Sequence, residues 1–186
     1  MDFENFIFCL EGVDNIQDTH ETEAYKNLTA LAEQQGISSI YKTCDSIEGM
    51  VESLEALLHT DAHFGTYEII YLVMEGEANS ICLDGYYYSI EEIAELFEGR
   101  LKGKVLHFAN EKALDLSSEE AQYFLDITRA KAISGYGAKA TFMRSHMLDK
   151  EFFSLFEESD DVIEIVEGLH KKHYAACKAL DFRLYY

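Results

Sequence analysis

The sequence predicts a single α/β domain over residues 1–186: a three-layer α/β/α sandwich with a mostly parallel sheet. Three observations carry this. Short runs rich in β-formers alternate with segments of helical period, and such β-α alternation implies parallel strands crossed over by helices. Tyr67–Met74 is nearly continuous in apolar residues, as expected of a central strand covered on both faces. The chain of 186 residues is 48% hydrophobic and contains no proline, repeat or Ser/Gly-rich linker, so one sizeable core is expected.

Phe6–Glu11 reads as the first strand, followed by an acidic loop through His20. The first helix covers Glu23–Gln35, with Leu28, Leu31 and Ala32 inward and Gly36 as its stop. Strand two is Ser38–Thr43. Asp45 and Glu48 have capping-box spacing for a second helix, in which Ile47, Met50, Val51, Leu54, Leu57 and Leu58 fall at helical spacing. After the central strand, Ala78–Leu83 and Tyr86–Tyr88 flank Asp84-Gly85, a pair suited to the positive φ angles of a tight hairpin. Ser89 with Glu92 opens a helix through Phe97, and Lys104–Ala109 is the fourth sheet strand. Ser117 with Glu120 opens another helix to Ala130, followed by a strand at Ala132–Gly135. Helices at Phe142–Phe156 and Asp160–Ala179 and a strand at Phe182–Tyr186 complete the chain.

The formal net charge is −20, and it is uneven. Residues 1–65 hold 13 acids against 2 bases, whereas residues 131–186 hold 9 against 8. Such a surface repels phosphate backbones and anionic lipid, so nucleic acid and membranes are not expected partners; it would steer in a basic protein or peptide, or else it serves solubility alone. No window approaches the roughly 18 apolar residues of a membrane span. The N-terminal stretch has no basic n-region, so a cytoplasmic location is expected. Cys9, Cys44, Cys82 and Cys177 are widely spaced and are read as reduced thiols, with Cys44 at a strand end and open to exposure.

In parallel sheets, sites form beyond the C-terminal strand ends. Here those ends are marked by Glu11, Asp14, Cys44, Glu75, Glu77, Asn110, Glu111 and Tyr136. No GxGxxG or GxxxxGK[ST] follows a strand, so no dinucleotide or P-loop site is expected. A phosphoacceptor domain would need an Asp where Glu75 stands. No cofactor is expected.

The central region carries a resemblance. Tyr71-Leu72-Val73-Met74-Glu75-Gly76 resembles the strand ending in His-Gly in caspase-like and CHAT-type cysteine peptidases, and the Ile81–Tyr88 hairpin is typical of that fold. Val105-Leu106-His107-Phe108-Ala109-Asn110-Glu111 resembles the strand leading to the catalytic Cys. Phe124-Leu125, Ala130–Ala132 and Gly135-Tyr136 extend the likeness to short bacterial CHAT-like proteins, over roughly residues 65–156. The resemblance implies a caspase-like sandwich. It also places Glu75 at the His-like position and Glu111 at the Cys-like one, or Asn110 in the alternate register. Neither is a thiol, and thiol proteolysis needs a thiolate with a nearby imidazole. No catalytic residue is therefore assigned. The expectation is a catalytically degenerate domain that binds a protein or peptide, with Asp14, Glu77 and Tyr136 as groove candidates. The alternative is a carboxylate- or metal-dependent hydrolase using Glu75 and Glu111.

Other constellations are read as structural. His170, His173 and Cys177 fall on one helical face, a spacing that could hold zinc, but His173 lies on the apolar stripe and packing explains it. His107 is expected as a satisfied buried histidine, and Tyr86–Tyr88 as alternating sheet packing, with a recognition surface as the alternative. No metal is expected. The apolar strand Phe182–Tyr186 would make an attractive pairing edge, hence a homo-oligomer seam.

Overall fold

The structure is a computed structural model that describes residues 5–18, 20–77, 79–109, 114–138 and 142–186. A six-stranded sheet forms its middle layer: β1 (Asn5–Gly12), β2 (Ser38–Cys44), β3 (Ile69–Val73), β7 (Val105–Phe108), β8 (Ala132–Tyr136) and β9 (Phe182–Tyr185). Their spatial order is β2-β1-β3-β7-β8-β9, with all pairs parallel except β8 with β9. A smaller antiparallel sheet of β4 (Glu75–Gly76), β5 (Ser80–Leu83) and β6 (Tyr86–Ser89) stands off the end of β3.

Alternation along the strands builds the two outer layers. Ile7, Cys9, Tyr71 and Val105 face one side, where α1 (Glu23–Gln35), α5 (Phe142–Ser154) and α6 (Val162–Leu180) pack through Leu28, Phe152 and Leu169. Phe8, Leu10, Leu72 and Leu106 face the other, against α2 (Ile47–His59), α3 (Ile90–Leu96) and α4 (Ser118–Thr128). All five residues of β3 are buried, which explains its unbroken apolar run. The α/β sandwich read from the sequence is the architecture observed.

The helix starts follow local chemistry. Ser89 and Ser117 each form a complete capping box, with Glu92 and Glu120 respectively. α1 has the predicted bounds and stops at Gly36, whose φ of 72° is the left-handed conformation that glycine adopts without strain. The second helix departs from expectation: Ser46 is its N-cap, accepting from the Gly49 N–H, while Asp45 accepts at 3.4 Å from the Ile16 N–H. In α1, Ala24 is the small residue buried against the sheet and Ala32 is exposed. α6 contains a break at His173 (φ −133°, ψ 37°), yet Val162 and Leu169 before it and Leu180 after it are buried in the same core.

The hairpin also differs. Asp84 and Gly85 do take positive φ (49° and 75°), but Tyr86 and Tyr87 are 70% and 61% exposed rather than packed. Glu75-Gly76 adds a third strand to it through Cys82 and Ile81. A side chain at Gly12 would meet Leu83 at 2.6 Å, so the bare backbone at the end of β1 lets the hairpin close over it. Reciprocal hydrogen bonds between Asn79 and the Asp115 backbone tie the hairpin to the segment entering α4. Arg183 in β9 binds the carboxylates of Asp115 and Asp181.

Candidate functional site

The strand order changes direction around β1, whose two neighbours in the sheet are the next strand and the one after it. At such a switch point connections leave toward opposite faces and open a crevice beyond the carboxyl ends. A groove of 1090 Å³ lies there, lined by the ends of β1, β2 and β3, the loop before α1, and the hairpin residues Cys82 and Tyr87.

Six carboxylates line it: Glu11, Asp14, Asp18, Glu21, Glu75 and Glu77. Among the described residues no lysine or arginine does so. His20, bonded through Nδ1 to Asp18, is the sole imidazole in that lining, and this bond raises its pKa while lowering that of Asp18. Asp14, Glu75 and Glu77 are exposed. They are free to hold a negative potential toward solvent.

Glu11 is different, being only 4% exposed. The hydroxyls of Thr22 and Tyr41 both donate to its Oε2, each at 2.6 Å. Thr22 is also the N-cap of α1 and accepts from the Tyr25 N–H, so Glu11 sits at the positive end of that helix. Burial, and then the bond to Glu11, push the Tyr41 phenol up and keep its donor proton in place. Tyr25 packs edge-on against Tyr41 with ring centroids 5.2 Å apart.

The structure thus brings Glu11, Asp14, Glu75 and Glu77 together in one groove and adds Thr22 and Tyr41. Glu111 and Asn110 lie outside the described residues. Tyr136 does not belong to the groove. It is fully buried beneath α5, where its hydroxyl donates to Asp149. The reason is strand alternation: Tyr136 projects to the face covered by α5 and α6, alongside Ala132.

Around Tyr136 lies a second polar cluster. His107 bonds through Nδ1 to Ser134 Oγ (2.7 Å) and through Nε2 to Asp149 Oδ1 (2.6 Å), while the Tyr71 hydroxyl donates to Asp149 Oδ2 (2.6 Å). Hydroxyl, imidazole and carboxyl are linked in the order of a nucleophilic relay. Yet Ser134 and His107 are 0% exposed and Asp149 is 1% exposed, and aromatic rings surround the imidazole on several sides. A sealed hydroxyl reaches no substrate, so this cluster pins α5 to β3, β7 and β8. The buried, satisfied His107 was expected; its partner Asp149 had no local signal, lying 42 residues away.

The remaining candidates resolve similarly. Cys44 is buried, and burial pushes its thiol up to about 12, so it is not an available nucleophile. His173 faces Glu151 at 3.2 Å and is half-exposed rather than on an apolar stripe, His170 Nδ1 bonds the Val166 carbonyl, and Cys177 is buried. Among the described residues no cluster of His, Cys, Asp and Glu has metal-binding proximity, and no helix is long and apolar enough to cross a membrane.

Comparison with known proteins adds family membership. No curated protein matches the chain. The crystal structure of the Drosophila initiator caspase Dronc aligns at 11% identity with a TM-score of 0.49, over 83% of this chain. The chain spans 65% of the length of that structure. A family model matches residues 4–186, nearly the whole sequence, and the chain belongs to that family: DUF6642, a family of unknown function.

Proposed function

We propose that this chain is a catalytically degenerate caspase-like, CHAT-like domain that binds a basic protein or peptide as a regulatory module. The observation that carries the reading is the charge of the groove: six carboxylates with no lysine or arginine among its described lining residues. A volume of 1090 Å³ exceeds a typical small-ligand pocket, and leaves room for several residues of extended chain. Glu75 supports the degenerate assignment, because it stands where the resemblance requires an imidazole, and a carboxylate is ordinarily a far weaker base toward a thiol. The same negative potential disfavours nucleic acid and anionic membranes.

Fluorescence anisotropy with labelled octapeptides tests this. A peptide of glycine, serine and three lysines should bind, and its glutamate counterpart should not. Asp14→Asn, Glu75→Gln and Glu77→Gln combined should weaken binding by about tenfold or more. Equal binding of both peptides overturns the reading. The lysine peptide should also emerge uncleaved; cleavage abolished by Glu75→Gln would restore an enzymatic role.

A further inference from the structure

We propose that Glu11, Thr22 and Tyr41 form a subsite for one primary ammonium, the tip of a lysine side chain. The inference rests on the peptide-binding reading and names which side chain the groove selects. Both hydroxyls spend their single proton on the same oxygen, Oε2. Oε1 then has no hydrogen-bond partner among the described residues, and it is not sealed off: Glu11 lines the groove and Oε1 keeps accessible surface. A carboxylate this deeply buried with one idle oxygen calls for a donor from outside.

The acceptors that remain distinguish between cations. A guanidinium binds carboxylates best as a fork that uses both oxygens, and here one is taken. An ammonium carries three rotatable donors and needs single acceptors pointing inward. Oε1 supplies one, and the Tyr41 and Thr22 hydroxyls, 3.1 Å apart, supply others, Thr22 with the lone pair that the Tyr25 N–H leaves open. Tyr25 and Tyr41 give aromatic walls for the lysine stem. The α1 N-terminus opposes a cation with about half a charge. Glu11 alone offsets that, and Asp14, Asp18, Glu21, Glu75 and Glu77 line the same space.

The test compares octapeptides bearing lysine, arginine or acetyl-lysine on wild type, Glu11→Gln and Tyr41→Phe, with n-butylammonium titrated by NMR beside them. Lysine should bind about tenfold tighter than arginine and acetyl-lysine, and Glu11→Gln should erase the preference. Tyr41→Phe keeps the carboxylate and should erase most of it, which covers the case that Glu11→Gln fails to fold. Lysine and arginine peptides binding alike, with no loss in either variant, removes the subsite and leaves the acidic groove standing. Shifts from n-butylammonium that vanish in Glu11→Gln, with no peptide bound, keep the subsite and remove the peptide. Neither peptide nor amine binding removes both.

Discussion

At the scale of single residues, Asp149 holds more together than any other polar side chain described. Its two oxygens accept from Tyr71, Tyr136 and His107, which come from three strands. Asp149→Ala strands three buried donors, and urea unfolding should record a loss of roughly 3–5 kcal/mol. Asp149→Asn retains an acceptor and should lose less. Alkaline titration tests the same cluster. Burial, then the Asp149 charge, raise the pKa of both Tyr71 and Tyr136, so the folded state holds these protons more tightly than the unfolded state. Their contribution is therefore complete below the unfolded value near 10 and is lost as pH climbs above it. Tyr71→Phe should flatten that decline; an unchanged slope would place the alkaline limb elsewhere.

Among the elements, those with their start signal in adjacent residues were readable before folding. The boxes at Ser89 and Ser117 and the stop at Gly36 each act within a turn, so spacing in the sequence reveals them. At the second helix the spacing points to Asp45, whereas the next residue, Ser46, is the cap and the Asp45 carboxylate accepts from the Ile16 N–H, 29 residues away. Tyr86 and Tyr87 depart from the expected packing because β6 is the outer strand of a small sheet off the sandwich, in which Ile81 and Leu83 of β5 take the buried places. The terminal strand β9 occupies one edge of the main sheet, paired on one side with β8. We expect it to join two chains, giving twice the monomer mass in light scattering at high concentration. A monomer mass at every concentration removes that seam.

For the whole molecule, the charge is unevenly distributed along the chain. The acid-rich first third supplies four of the six groove carboxylates, Glu11, Asp14, Asp18 and Glu21. Attraction of a basic peptide to such a field is long-ranged and screened by salt. Raising ionic strength from about 0.05 M to 0.3 M should slow association and weaken the lysine peptide several-fold. Salt-independent binding would mean that shape, not charge, recruits it. The composition made the sign of this field visible, and the strand-end rule pointed to Glu11, Asp14, Glu75 and Glu77 as its carriers.

The sequence by itself determined the layers, the central strand and most helix starts, since these depend on periodicity and on contacts within a few residues. At the positions that the resemblance would assign to a dyad, Glu75 and Glu111 or Asn110, it holds neither a thiol nor an imidazole. Tertiary structure decided that Tyr136 leaves the groove for the Asp149 cluster, and that Thr22 and Tyr41, 11 and 30 residues from Glu11, meet on one of its oxygens. Those outcomes depend on which strands become neighbours and which helix covers them. That pairing is fixed by burial across the entire chain, and no local spacing encodes it.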